Sequence, residues 1–364
     1  MPHTLEQVKD VAFVSGCDES SSKVASKRII ELDCTRGITA FLVVFVHYAH
    51  GTFLQEYTKI LVGGTDLFFI ISGFVGYNLM RSNPSLGDYL KRRFVRLVPI
   101  FWVCVTLTST LVFIYHCRSG APNGQLALDY MANLLMVNYF LNLPFIDGVY
   151  WTLLIEVLFY GLLGVLLCFG WVRHLEKIGA AILVFLLLSS VLPLGETQKD
   201  LWRYLGNFPL FFVWPAFYAG IVFNRIKYDG ANFHRWCLVL LCIVANVALV
   251  GYSERIHIGV MKISPYAHGA MTFVYFTFFY LSIKNRLRFI VNKATLFLAS
   301  ISYCLYLTHF KIGEQFLRPK LHGIPGIWQI PLLVGAAVLL AVVLTYLVEV
   351  PLVANLSRRL RLSR

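Results

Sequence analysis

Long apolar runs alternate with short polar connections along most of the chain. A run of about 18 or more mainly apolar residues is long enough to cross a bilayer as a helix. Ten runs fit this pattern, so the sequence predicts an all-α polytopic membrane protein with ten transmembrane helices: 30–50, 61–80, 97–115, 149–170, 178–194, 208–224, 236–252, 266–283, 295–312 and 330–350. An eleventh run, 126–141, is short and interrupted by asparagine, which predicts an interfacial or re-entrant segment.

The first 25 residues differ from the rest because they are mainly polar. They have no charged start that leads into a short apolar run, so they do not match a cleaved signal peptide. We expect residues 1–25 to form a polar cytoplasmic tail and residues 26–364 to form one membrane domain.

Composition supports the membrane assignment, since 58% of the 364 residues are hydrophobic and 14% are charged, with a mean hydropathy of +0.68. With both termini in the cytoplasm, the cytoplasmic segments carry more than twice as many Lys and Arg residues as the outer loops, as the positive-inside rule predicts. Membrane topology and anionic lipid therefore explain the net charge of +13 better than nucleic acid does. There is no Walker loop and no CxxC pair, which disfavours ATP-driven transport and a zinc site.

The first predicted span contains two residues that are costly to place in hydrocarbon, Arg36 and His47. Eleven residues at 100° each come within about 20° of three full turns, so both side chains share one helix face, roughly 16 Å apart along the axis. We expect them to face one cavity at two depths, with Arg36 toward the cytoplasm and His47 in the outer half of the membrane.

Other ionisable residues are predicted at the depth of His47. If the first helical hairpin turns near residue 56, Asp66 on the second span lies level with His47. Glu156 lies about two turns into the fourth span and His309 near the outer end of the ninth. A buried carboxylate needs a partner, which favours a functional role for both acids. An intramembrane histidine fits a packing role equally well.

The inner half of the membrane is predicted to hold a basic mouth made by Arg36, Arg93 and Arg96. Arg93 and Arg96 share a helix face by their spacing of three residues, and guanidinium groups bind phosphate oxygens in bidentate fashion. This arrangement suits a polyphosphate. The neighbouring Lys91 and Arg92, together with Arg93, also fit a plain topology signal.

Six motifs in order make the chain similar to a known family, the integral-membrane acyltransferases of family 3, which include bacterial O-acetyltransferases of O-antigen, peptidoglycan and Nod factors. The motifs are "ELDCTRGITAFLVVFVH", "GGTDLFFIISGF", "YLKRRFVRLVPIFW", "WTLLIEVLFY", "ISYCLYLTH" and "YLVEVP". They reach from about residue 31 to 351. Departures include Thr152, where the family usually has Ser, and Val157, where a second acid is common.

The resemblance implies a membrane O-acyltransferase that moves an acyl group, usually acetyl, from acyl-CoA to a hydroxyl of a cell-surface carbohydrate such as lipopolysaccharide O-antigen. It also implies a multi-pass protein of the bacterial inner membrane, with a carbohydrate or glycolipid acceptor, without nucleic acid, a metal or a permanently bound cofactor. The catalytic residues it implies are His47, Asp66 and Glu156. The residues for the coenzyme A donor are Arg36, Arg93 and Arg96, and those for substrate are Trp151, Tyr306 and His309.

Two mechanisms stay open for His47. It either removes the proton of the acceptor hydroxyl, with Asp66 or Glu156 orienting the imidazole, or carries the acyl group as an acyl-imidazole. A secondary transporter with an intramembrane His and carboxylate proton relay is the alternative function. A receptor or scaffold without chemistry is a third reading.

Overall fold

The computed structural model describes residues 29–58, 61, 63–120, 122, 124–192, 195–253 and 265–362. The predicted tail, residues 1–25, lies outside these ranges. Within them the secondary structure is helical and no residue belongs to a strand.

The main helices of the described chain pack against one another. In chain order they are α1 (Ile30–Ala49), α2 (Gly64–Met80), α3 (Leu86–Ser119), α4 (Leu126–Leu134), α5 (Tyr150–Cys168), α6 (Leu175–Val191), α7 (Glu196–Gly206), α8 (Leu210–Tyr228), α9 (Phe233–Ser253), α10 (Pro265–Ile283), α11 (Lys293–Lys311), α12 (Gly326–Leu344) and α13 (Val350–Arg359). Two π-helical segments, Ile312–Leu317 and Thr345–Glu349, directly follow α11 and α12.

Each of the ten predicted spans falls on a helix of the described chain. By length and apolar composition six helical stretches could cross a membrane: Leu86–Ser119, Tyr150–Cys168, Trp171–Val191, Phe233–Val250, Lys293–Leu321 and Gly326–Arg359. A seventh is possible if α7 and α8, which meet at 71°, form one broken span. The prediction of a multi-span all-helical membrane protein is thus confirmed, whereas ten spans and cytoplasmic termini stay predictions.

The chain sequence explains why some predicted spans lack this span signature. Helix α1 carries three charged residues in its first half, Glu31, Asp33 and Arg36, and α2 is only 17 residues long. The predicted interfacial or re-entrant run begins with the nine-residue helix α4, and turns follow it up to the start of α5.

Glycines allow two helix pairs to approach backbone to backbone. A Cβ on Gly73 of α2 would overlap the carbonyl oxygen of Phe217 on α8, and a Cβ on Gly37 of α1 would overlap the backbone of Ala299 on α11. Small residues at such crossings let membrane helices pack closely. The contact between α1 and α11 brings the C-terminal ends of these two helices together, and both predicted site histidines lie there.

Candidate functional site

The centre of the site is a pair of histidines from α1 and α11. The ring centroids of His47 and His309 lie 5.1 Å apart in an edge-to-face arrangement. The ring centroid of Phe310 lies 4.8 Å from that of His47. His309 is fully buried. The two histidines, which the sequence placed at a similar depth, are therefore in direct contact in the structure.

Both rings have a nitrogen without a hydrogen-bond partner. His309 Nδ1 lies 2.9 Å from the carbonyl oxygen of Tyr306 and donates to it, so Nε2 of a neutral ring carries the free lone pair. Neither His309 Nε2 nor His47 Nδ1 has a partner within the described part of the chain, although both atoms are buried. A buried imidazole nitrogen in this state can accept a proton from a bound group.

The backbone around His309 is fixed by two side chains. The Tyr48 hydroxyl donates to the His309 carbonyl at 2.6 Å, and Asp147 Oδ2 accepts the Lys311 N–H at 2.9 Å. Asp147 Oδ1 also accepts the Val149 N–H at 3.2 Å. This carboxylate therefore ties the start of α5 to the end of α11.

Asp147 belongs to the connection before α5, outside the spanning helices, and it is completely buried. Burial raises the pKa of Asp147 to about 6, against the opposing effect of the Lys311 and Val149 N–H groups. The sequence analysis did not single out Asp147, because an acid in a loop gives no signal of burial.

Of the two aromatic residues predicted to bind substrate, Tyr306 adjoins the histidine pair. Its hydroxyl lies 2.9 Å from Thr152 Oγ1, and its ring centroid lies 5.8 Å from that of His309. Trp151 instead packs edge-on against Phe69 of α2, with 6.0 Å between ring centroids. Thr152, a departure from the family motif, therefore still provides the hydroxyl that holds Tyr306.

Asp66 has a partner other than the one predicted. No hydrogen bond or ion pair joins it to His47; its ionisable neighbour is His268 of α10, with Asp66 Oδ2 3.9 Å from His268 Nε2. His268 Nε2 is also 2.8 Å from Asn246 Oδ1. The predicted equal depth of Asp66 and His47 did not determine which way Asp66 faces around α2, and His268 lies in no recognised motif.

Glu156 also lacks the predicted contact with His47. Its Oε1 accepts the Ser72 hydroxyl at 2.7 Å and the Tyr160 hydroxyl at 2.8 Å. The Arg93 guanidinium lies over the Tyr160 ring, 4.6 Å from its centroid. Glu156 therefore belongs to the surroundings of Arg93, and no Lys, Arg or His in the described chain forms an ion pair with it within 4.0 Å.

Two members of the predicted basic mouth, Arg36 and Arg96, interact with Glu349, an acid that the sequence analysis did not assign to the site. The charges of Arg36 and Arg96 both act on Glu349, which lies in the π-helical segment after α12. Cys304 Sγ donates to Glu349 Oε2 at 3.2 Å. Arg93 stacks on Tyr160, and its buried Nε has no hydrogen-bond partner. The signal for Glu349 was its position as an acid within the apolar "YLVEVP" motif.

Comparison with known proteins identifies relatives of the whole membrane part. A family model described as an acyltransferase domain matches residues 29–346. The chain is 23% identical over 382 residues to the peptidoglycan O-acetyltransferase OatA of Listeria monocytogenes, covering 92% of this chain and 57% of OatA. It is 31% identical over 140 residues to Protein 2 in the picA locus of Rhizobium radiobacter, covering 34% of this chain and 70% of that protein. No solved structure matches.

Proposed function

The chain belongs to the family defined by this acyltransferase domain, and we propose that it is a membrane O-acyltransferase that moves an acyl group from acyl-CoA to a carbohydrate hydroxyl. The observation that carries the proposal is the His47–His309 pair with its two unpartnered buried nitrogens. OatA, of which the chain spans 57% of the length, supports an acetyl group and a cell-wall glycan. We propose lipopolysaccharide O-antigen as one such acceptor carbohydrate and the bacterial inner membrane as the location of the enzyme.

The transfer needs one proton acceptor near the acceptor hydroxyl. His309 Nε2 or His47 Nδ1 takes the hydroxyl proton while the oxygen attacks the thioester carbonyl carbon. The carbon–sulfur bond breaks, and the leaving thiolate receives the proton. Two imidazolium charges in contact would repel each other, so at most one of the two rings is an imidazolium at a time. General-base assistance of this kind is typically worth 10²–10⁴-fold in rate.

The arginines supply a site for the phosphates of the donor. Arg36 and Arg96 both act electrostatically on Glu349, and the buried Nε group of Arg93, which has no hydrogen-bond partner in the described chain, can donate to a phosphate oxygen. Guanidinium groups bind phosphate by paired N–H donors. Glu156 acts from this side of the site, because it accepts a hydrogen bond from the Tyr160 hydroxyl and Arg93 stacks on the Tyr160 ring.

The test compares the cell-surface polysaccharide of cells that express wild type, His47→Ala, His309→Ala or His322→Ala. His322 is exposed and lies outside the site, so His322→Ala is the matched control. We expect O-acyl groups with wild type and the control, and only traces with the other two at equal membrane abundance. Acylation at the wild-type level by His47→Ala and His309→Ala would contradict the proposal, as would solute transport without donor consumption.

A further inference from the structure

A second polar centre lies between α2, α9 and α10, apart from the histidine pair. Its members are Asp66 of α2, Asn246 of α9, and His268 and Thr272 of α10, and all four are buried, with at most 9% of any residue exposed. Asn246 interacts with both neighbours, since its Oδ1 lies 2.8 Å from His268 Nε2 and its side chain also acts on Asp66. Such a cluster inside an apolar helix bundle is costly unless its polar atoms are satisfied.

The hydrogen bonds of this centre leave two acceptors without donors. His268 Nε2 gives its single hydrogen to Asn246 Oδ1, and at 3.9 Å it is too far from Asp66 Oδ2 for a second hydrogen bond. Asp66 Oδ2 and Thr272 Oγ1 have no partner in the described chain. Thr272 lies one helical turn after His268, on the same face of α10.

The chemistry of the unsatisfied atoms limits the ligand class. A carboxylate oxygen without a donor repels anions, so the phosphates of a donor do not fit here. No group of three or more His, Cys, Asp or Glu side chains in the described ranges could hold a metal ion. A neutral ligand with hydroxyl groups fits, because each hydroxyl donates one hydrogen and accepts another.

The centre lies at the same end of the bundle as the histidine pair. Asp66 is in the first turn of α2, which follows α1 after the turn beyond His47. A Cβ on Gly64 would lie 3.4 Å from Val43, one turn before His47 on α1. Gly63 adjoins the other nitrogen of His268, at 3.6 Å from a Cβ to Nδ1. The polar centre and His47 therefore lie at the same end of two helices, α1 and α2, that are in contact.

We infer that Asp66, Asn246, His268 and Thr272 form a hydroxyl-binding subsite for the carbohydrate acceptor. The inference rests on the proposed O-acyl transfer. In it, Asp66 Oδ2 accepts the hydrogen of a sugar hydroxyl, and Thr272 exchanges hydrogen bonds with the same or a neighbouring hydroxyl. Asp66 thus serves acceptor binding, separately from the histidine pair.

The experiment uses the purified full chain in lipid nanodiscs, with labelled acetyl-CoA and neutral oligosaccharides released from the cell-surface polysaccharide of the expressing strain. The variants are Asp66→Asn, Thr272→Val and the control Thr39→Val, whose hydroxyl donates within its own helix. We expect the acceptor KM to rise roughly tenfold in Asp66→Asn and about threefold in Thr272→Val. The donor KM and the control should stay at wild-type values.

The outcomes separate this subsite from the proposed function. Replacement of an unpartnered buried hydroxyl by a methyl group should not lower stability, so Thr272→Val decides the question even if Asp66→Asn fails to fold. Transfer by wild type, with an unchanged acceptor KM in Thr272→Val, would overturn the subsite alone. Failure of the wild-type protein to acylate any hydroxyl would overturn the proposed function together with the subsite.

Discussion

The hydrogen bonds of Glu156 allow the stability cost of the substitution Glu156→Gln to be estimated. Glu156 Oε1 accepts two hydroxyl hydrogens, from Ser72 and Tyr160, and glutamine keeps an acceptor oxygen at that position while it removes the charge. A hydrogen bond to a charged group is worth about 1.5–3 kcal/mol, and a neutral one about 0.5–1.5 kcal/mol. The two weakened bonds cost about 2 kcal/mol together, and removal of the charge from this half-buried position offsets part of this cost.

A purely structural role for Glu156 predicts a larger effect. If its carboxylate held a buried cation, loss of the charge would leave that cation unpaired and cost about 3–5 kcal/mol. No such cation lies within 4.0 Å of Glu156 in the described chain. We therefore expect near-normal membrane abundance and thermal stability. Because Glu156 acts on the donor side of the site through Tyr160 and Arg93, kcat/KM for the donor should fall at least tenfold, or by about 1.4 kcal/mol.

Both quantities should be measured on one purified sample of Glu156→Gln. Thermal unfolding gives the stability, and transfer of labelled acetyl at limiting acetyl-CoA gives kcat/KM for the donor. Ser72→Ala is a useful comparison, because it removes one of the two hydroxyl donors and leaves the charge in place. A variant that unfolds far below the wild-type temperature would refute the reasoning, and so would one that keeps the wild-type kcat/KM for the donor.

Two further predictions concern the donor site and pH. Arg93→Ala and Arg96→Ala should each weaken donor binding and leave turnover at saturating donor much less affected; unchanged donor affinity in both, measured by titration, would assign these arginines to topology alone. Because burial raises the pKa of Asp147 from 3.8 to about 6, its stabilising contribution is complete below about pH 4 and lost as the pH rises through about 6. That loss amounts to about 3 kcal/mol and should be absent in Asp147→Asn. The difference in thermal stability between wild type and Asp147→Asn should therefore change between about pH 4 and 6. Parallel curves of stability against pH for the two proteins would contradict the raised pKa of Asp147.

The sequence was sufficient to predict the helical class and a similar depth for His47 and His309. Apolar runs of bilayer length need no tertiary information, because the length of a helix follows from its rise per residue. His47 and His309 could be placed at one depth because each lies near the end of a long apolar run. The close crossing of α1 and α11 at Gly37 then brings the rings into contact.

The partners of the acids could not be predicted in the same way. Depth along a helix follows from counting residues, whereas the direction around the axis depends on which neighbours pack there. Asp66 faces α9 and α10, and Glu156 faces Ser72 and Tyr160. Glu349 lies in a π-helical segment, where the irregular turn shifts side-chain directions from those of a regular helix.

The most direct test of the central claim is acyl transfer by the purified chain itself. The wild-type protein and His47→Ala, in nanodiscs at equal and verified folded amounts, are given labelled acetyl-CoA and the oligosaccharide acceptor. Mass spectrometry of the acceptor then reports each acetyl group added. The account predicts acetylated acceptor and an equal amount of free coenzyme A with wild type, and only traces of both with His47→Ala. An unmodified acceptor with wild type, or full acetylation with His47→Ala, would contradict it.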